Sequence, residues 1–289
     1  LVSSQKTDII CVTGSTKIGR LIAIECAKKL KPAILELGGK DPMIVLGDAH
    51  LNRAVKAAVW GGMSNAGQTC ISVENIFVQQ SIYSDFCNQI SKQVKSMSAG
   101  PQKKNHIGPI TISAGLKKIN RQLDELPASI KKVEGVSEDI SRFVAPTVVF
   151  DPPDDSLICN EETFGPIITV TPFDTIEDAV KKANSTGYGL SASVFTRNKK
   201  TAREVAASLN SGSVVINDVL TGFGMADLPF GGKGISGLGR VHGKEGLLAF
   251  SHVKAITENR ITFSGEPWWY ETSGKIEILL KKFIRLWYG

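Results

Sequence analysis

The sequence predicts an α/β protein, and three observations carry that prediction. Short apolar runs alternate along the chain with segments whose apolar residues recur at helical spacing. Within residues 8–37 a strand pattern, a glycine turn, a helix pattern and a second strand pattern follow one another, the order of a βαβ unit. The 28 glycines among 289 residues gather in GG and GxG settings between these segments, where turns and close approaches of backbone occur.

Taken in order, Asp8 to Val12 reads as a buried strand closed by Thr13-Gly14-Ser15-Thr16. Ile18, Leu21, Ile22, Ile24 and Ala27 describe a helix ending near Lys31-Pro32, and Ala33 to Leu37 form the next strand, running into Gly38-Gly39. Leu51, Ala54, Val55, Ala58, Val59 and Gly62 give a helix over residues 50–65, followed by Asn65-Ala66-Gly67-Gln68-Thr69-Cys70. A strand at Asn75–Val78 and a helix from about Ser84 to Met97 continue the alternation, and polar connections flank a short helix before Pro146. Strands at Thr147–Phe150, Ile167–Thr171, Ser191–Thr196 and Ser213–Asn217 then enclose helices at Thr175–Asn184 and Lys199–Leu209. A glycine-rich stretch reaches Gly246, and a hydrophobic, basic helix closes the chain.

Composition narrows the function classes. The net charge of +6 is spread along the chain with no basic block interleaved with aromatics outside the last residues, which speaks against a nucleic-acid partner. Five widely spaced cysteines without a CxxC pair fit a reducing, intracellular compartment better than a disulfide framework, and no metal-ligand spacing is present. No run of 18 apolar residues suggests a membrane span. The start at Leu1, directly before a strand, leads us to expect an interior position of a longer polypeptide.

Four local features could carry chemistry. Cys70 follows a glycine-containing junction that can present a thiol to a cleft, and a thiolate adds readily to a carbonyl; a small buried hydrophobe is the plainer alternative. Glu36 lies in the apolar run Ile34 to Leu37, where a charge is costly unless paired, hydrated or neutralised; it could accept a proton from a thiol or water, or simply face solvent at a strand edge. Thr13-Gly14-Ser15-Thr16 opens a helix whose free amides favour an anion such as a diphosphate, although an ordinary N-cap explains it equally. Glu161-Glu162-Thr163-Phe164-Gly165-Pro166 joins two carboxylates and an aromatic at a turn, as a cofactor clamp or a surface loop would.

The features become specific together. VTGST (12–16), LKPAILELGGKDP (30–42), NAGQTC (65–70), APTV (145–148), NEETFGPI (160–167), ANSTGYGLSASVFT (183–196), GSVVIN (212–217) and PFGGKGISGLGR (229–240) occur in that order, with Cys70 thirty-four residues after Glu36. From about Asp8 to His252 the chain resembles the aldehyde dehydrogenase superfamily. The resemblance implies the end of a Rossmann-type cofactor domain followed by an α/β catalytic domain. Residues 1–37 would be the remainder of the cofactor domain and 38–235 the thiol domain, with 236–289 returning to the cofactor domain or an interface. It also implies Cys70 as nucleophile, Glu36 as general base, NAD or NADP as hydride acceptor, and Gly14, Ser15, Leu37, Glu162 and Phe164 at the cofactor. The Cys70 amide would serve as an oxyanion donor.

The family's upstream half, with its oxyanion asparagine and cofactor lysine, has no counterpart here. The expectation is therefore a C-terminal part with little turnover of its own, needing the missing N-terminal half to complete its site. Val241-His242-Gly243-Lys244-Glu245-Gly246 and Phe250-Ser251-His252 are similar to the branch acting on medium-chain, fatty and aromatic aldehydes. A small hydrophobic aldehyde as substrate and a homodimer follow from that placement. Residues 274–289 place Ile276, Leu279, Leu280, Phe283, Ile284 and Trp287 at helical spacing beside Lys281, Lys282 and Arg285, with Pro267-Trp268-Trp269-Tyr270 upstream. Such a helix suits peripheral contact with an anionic membrane or docking against protein, so the expected localisation is cytoplasmic with membrane association through this helix. Two other functions stay open: a non-catalytic remnant with a structural role, and a relative that passes the thioester to coenzyme A.

Overall fold

Alternating strand and helix patterns resolve into stacked α/β layers in a computed structural model that describes residues 1–139, 141–260, 265, 269 and 274–289. The chain begins with β1 (Ile10–Thr13), α1 (Thr16–Ala27) and β2 (Ala33–Glu36), continuing through β3 (Asp41–Val45), α2 (Leu51–Met63), β4 (Val73–Gln79) and α3 (Gln80–Lys95). Next come β5 (Ser98–Ala99), α4 (Ser113–Asp124), β6 (Lys132–Glu134), β7 (Val136–Ser137), β8 (Thr147–Phe150) and α5 (Leu157–Asn160). The alternation resumes with β9 (Ile167–Phe173), α6 (Ile176–Ala183), β10 (Ser191–Phe195), α7 (Lys199–Ser208) and β11 (Ser213–Ile216), and ends with β12 (Gly237–Leu238), α8 (Gly243–Ala249) and α9 (Gly274–Tyr288).

Among the described residues these strands form a three-stranded sheet β1-β2-β12, a seven-stranded sheet β11-β10-β3-β4-β9-β8-β6 and a two-stranded pair β5-β7. β1 runs parallel to β2, and β12 returns antiparallel with Gly237 opposite Glu36. The large sheet is parallel except for β6, which pairs antiparallel with β8. Helices cover both of its faces, so its strands alternate between two cores. Met43 and Val45 of β3 join Ile76, Val78, Phe86, Ile90 and Ile168 on one side, while Ile44 joins Phe77, Ala192, Val194 and Val205 on the other. Helix ends are set locally. The Thr175 hydroxyl accepts from Asp178 N ahead of α6, whose first turn is acidic and last turn basic, and the Asn198 side chain accepts from Lys200 N and Thr201 N ahead of α7.

Two strand expectations change. β3 occupies a central position of the large sheet that the sequence reading left without a strand, and its Pro42 cannot donate to a ladder. The structure accommodates it by a shift in register between Asp41 and Pro42. β1 is not buried but alternates half-buried and exposed residues, with Cys11 exposed, because it is the edge strand of the small sheet.

Compact packing divides the chain into Leu1–Ser251 and His252–Gly289. Within the second unit, the expected membrane contact through residues 274–289, and the membrane-associated localisation built on it, are corrected. No helix among the described residues is long and apolar enough to cross a membrane, and the 15 residues of α9 rise only about 22 Å against a hydrocarbon core of about 30 Å. Its polar face is not uniformly basic, since Lys281 is paired with Glu277 at 2.5 Å, and Phe283 and Trp287 stack on one another. Of Pro267-Trp268-Trp269-Tyr270, all but Trp269 lie outside the described residues.

Candidate active site

The candidate site sits where the chain passes from one sheet to the other. β2 ends at Glu36 and β3 starts at Asp41, so Leu37-Gly38-Gly39-Lys40 bridges the two sheets. Glu36 is 6% exposed, and neither carboxylate oxygen has a hydrogen-bond partner among the described residues. Burial pushes its pKa from the ordinary 4.5 to about 7, with the Arg240 guanidinium pulling the other way. Arg240 is itself fixed by donating to the carbonyls of Gly232 and Gly239. A side chain at Gly231 would press on Glu36 Oε1 at 2.9 Å, so the Gly231-Gly232 turn lies directly against the carboxylate.

Cys70 is presented by an unusual turn. After α2, Asn65, Ala66 and Gly67 all adopt left-handed backbone, with φ of 53°, 57° and 68°. Gln68 locks this turn: its Oε1 accepts from Thr111 N and Thr111 Oγ1, both at 2.8 Å, and its Nε2 donates to the carbonyls of Asn65 and Pro109. The thiol of Cys70 is partly buried and its pKa rises to about 11, first through desolvation and then through the nearby Asp41 carboxyl, with Glu36 and Glu162 adding smaller contributions.

The third segment of the site is the turn at residues 161–166. Glu162 Oε1 accepts from Gly39 N at 3.2 Å and Glu162 Oε2 lies 3.6 Å from Lys118 Nζ, while burial raises the Glu162 pKa. Phe164 is 38% exposed with φ of 55°, so its ring is open and its backbone strained. Glycines allow the three loops to touch. A Cβ on Gly38 would collide with the Glu162 carboxylate, one on Gly39 with the Cys70 carbonyl, and one on Gly67 with the Gly165 carbonyl. The structure thus brings Glu36, Leu37, Cys70, Glu162 and Phe164 to one place, with Leu37 buried beneath α1 against Gly19.

Gly14 and Ser15 lie at the N-terminal end of α1. Ser15 Oγ accepts from Ile18 N at 3.4 Å as the N-cap, and the first turn of α1 holds no acidic residue to compete with an anion. Gly14 N donates to the Glu36 carbonyl at 3.0 Å, and a Cβ on Gly14 would meet only Ile18 Cγ2, at 4.0 Å, so the space beside the helix end is open. A dinucleotide fits the residues present: an uncontested helix end for diphosphate, a carboxylate at Glu162 for hydroxyls and an open ring at Phe164.

Three polar residues of the site escaped the sequence reading. Lys40 and Glu74, each side chain at most 2% exposed, form an ion pair at 2.5 Å, and Glu74 accepts from the backbone amides of Thr163 and Phe164. Asp41 is buried, accepts from Ser191 N at 3.2 Å and has its pKa raised well above the ordinary value by desolvation. Glu74 offers a weaker cue than Glu36, since Asn75 separates it from the apolar residues Ile76 to Val78. A separate cleft of about 390 Å³, lined by Asn75, Cys159, Thr169 and Lys182 among others, contains none of the sequence-derived site residues.

A family model described as the aldehyde dehydrogenase family matches residues 1–256. The 4,4'-diapolycopene aldehyde oxidase of Methylomonas sp is 36% identical over 284 residues, covering 98% of this chain and 54% of that protein. Aldehyde dehydrogenase family 3 member H1 of Arabidopsis thaliana is 37% identical over 87% of this chain and 53% of its own length. Among solved structures, betaine aldehyde dehydrogenase from Staphylococcus aureus in complex with NAD+ superposes with a TM-score of 0.84 at 32% identity, covering 93% of this chain and 55% of that one. The chain spans about half the length of the curated relatives it matches.

Two expectations are corrected by these findings. The reading as a C-terminal part without the first half of the family fold does not stand as drawn, because the described residues build both a βαβ cofactor-type sheet and the catalytic sheet. The placement beside one branch also falls, since relatives named for succinate semialdehyde match at 35% identity, close to the values above. The expected homodimer rested on that placement, and the expected need for a missing half as partner rested on the first reading; both are withdrawn with them.

Proposed function

The chain belongs to the NAD(P)-dependent aldehyde dehydrogenase family, and we propose that its site converts a hydrophobic aldehyde to the carboxylic acid through a thioester on Cys70. The observation that supports this most directly is the convergence of the Glu36, Cys70 and Glu162 loops at glycine contacts, with an unpartnered carboxylate titrating near 7 beside a thiol. Cys70 Sγ adds to the carbonyl carbon as the thiol proton passes to Glu36, and the Cys70 amide meets the developing oxyanion. A bound nicotinamide supplies the hydride acceptor. Glu36, after releasing the first proton to solvent, takes a proton from water as that water attacks the thioester; the carbon–sulfur bond breaks, the sulfur recovers the proton from Glu36, and the acid leaves. Gly14 and Ser15 would hold the diphosphate, Glu162 a ribose, and Leu37 and Phe164 would stand at the nicotinamide end of the site. The division into 1–37, 38–235 and 236–289 as cofactor, thiol and returning segments is part of the same proposal.

The hydrophobic substrate is supported by the name of the Methylomonas relative. A p-nitrophenyl ester series of increasing acyl length tests the site without hydride transfer, because the ester delivers its acyl group directly to Cys70. We expect p-nitrophenol release that improves with chain length, an acyl adduct on Cys70 by mass spectrometry, accumulation of that adduct in Glu36→Gln, and no adduct in Cys70→Ala. An unlabelled Cys70, as a non-catalytic relative would show, overturns the reading. Rapid loss of the adduct only when coenzyme A is supplied would favour the acylating alternative. Parallel assays of aldehyde-dependent NAD+ or NADP+ reduction show how much of the full reaction the chain performs alone.

A further inference from the structure

We propose that Glu74 is a positioning residue for the turn that carries Glu162 and Phe164: paired with Lys40, its carboxylate holds the backbone of Thr163 and Phe164 in the conformation that opens the Phe164 ring to the cofactor. The inference rests on the proposed place of Phe164 beside the nicotinamide. Phe164 has φ of 55°, a left-handed conformation that a residue with a Cβ leaves unless its surroundings over-determine it. Glu74 supplies that constraint. Its Oε1 accepts from Thr163 N and Phe164 N, each at 3.0 Å, and its Oε2 accepts from Thr163 N at 2.7 Å and Lys40 Nζ at 2.5 Å. Lys40 donates in addition to Thr163 Oγ1 at 3.1 Å, so the pair grips the turn through backbone and side chain alike.

Stability alone is a poor explanation for such a pair. Two buried charges can often be replaced by apolar side chains without loss, because desolvation cancels their attraction. What an apolar pair cannot do is receive two successive amide protons beside an ammonium group. Gln cannot do it either, since its NH2 would face a donor whichever way it turned. The location adds a reason for the placement. Glu74 stands four residues after Cys70 at the start of β4, and Lys40 follows Gly39, whose amide binds Glu162. One ion pair therefore ties the thiol strand, the glutamate loop and the aromatic turn to a common geometry.

Hydrogen–deuterium exchange on the intact chain, read at Thr163 and Phe164 and at the β9 core, tests the proposal with Glu74→Gln, Glu74→Asp and the double variant Lys40→Met, Glu74→Gln. Losing an amide bond to a charged acceptor should speed exchange at the turn by at least about tenfold, with β9 unchanged. Glu74→Asp keeps the charge for Lys40 but withdraws its reach, so it should fold and still show the faster turn. The double variant removes the unpaired charge and should recover melting temperature without recovering turn protection. Turn exchange within about twofold of the unaltered chain in the folded variants, or protection returning together with stability in the double variant, overturns the proposal. Adding NAD+ separates the two levels: failure to slow turn exchange in the unaltered chain counts against the place given to Phe164, while the variant series decides the role of Glu74.

Discussion

Glu36 allows a stability prediction whose sign and size follow from its burial. In the unfolded chain its carboxyl titrates near 4.5, and in the fold near 7. Below the lower value both states hold the proton. Between the two values the unfolded chain has released a proton that the folded chain keeps, so stability falls as pH rises, by about 1.4 kcal/mol per unit. Above the upper value both states are ionised and the penalty is complete at about 3 kcal/mol. Glu36→Gln cannot titrate, so its stability relative to the unaltered chain should climb by that amount between about pH 4 and about pH 8.5. Urea unfolding of both proteins across this range measures the difference directly. A level difference would refute the account of a desolvated, unpartnered carboxylate, and a decline would mean that Arg240 rather than burial dominates.

Further consequences concern the thiol, the turn that presents it and the core. With its pKa near 11 instead of 9, Cys70 should carry about 100-fold less thiolate at neutral pH, so its alkylation by iodoacetamide should be slow and should keep rising toward about pH 11; a plateau near neutrality contradicts this. Gly67→Ala places a Cβ against the Gly165 carbonyl at a left-handed residue, and should cost about 1–3 kcal/mol by thermal or urea unfolding; wild-type stability would show that the loops do not touch as described. Ile76→Ala, at a fully buried position of β4 between β3 and β9, should cost about 2–5 kcal/mol in the same measurement.

Much of the fold was legible because most strands and helices announce themselves by period and length. The four-residue strand at Thr147–Phe150 and the helix at Lys199–Ser208 fall where apolar spacing puts them. β3 did not, since Pro42 argues against a central strand and only the register shift beside it makes the assignment tenable. The site was legible where a residue type is unusual in its run, as Glu36 is in Ile34 to Leu37. Lys40, Asp41 and Glu74 were not, because their meaning lies in burial and pairing across loops far apart in sequence: Glu74 and Thr163 are neighbours only once β4 and β9 lie side by side. The terminal helix misled because amphipathic spacing describes a face without naming what, if anything, it meets.

The two principal groups of the site are poised in an order that looks unfavourable, and this gives Glu36 a second test. Passing a proton from a thiol near 11 to a carboxylate near 7 is uphill by about 5 kcal/mol. That cost is modest beside an enzymatic barrier, and a thiolate of higher basicity is also the stronger nucleophile, so the arrangement keeps Cys70 protonated at rest and reactive when its proton leaves. In the proposed mechanism Glu36 acts on the thiol in opposing ways. Its negative charge suppresses the standing thiolate, while its basicity would assist transfer in the reacting complex. Above neutral pH, Glu36→Gln should therefore accelerate alkylation of Cys70 by iodoacetamide, which needs only free thiolate, and slow acyl transfer from a p-nitrophenyl ester through to product, which needs a proton acceptor. Slowing of both reactions alike would mean that the substitution distorts the thiol loop rather than removing a base.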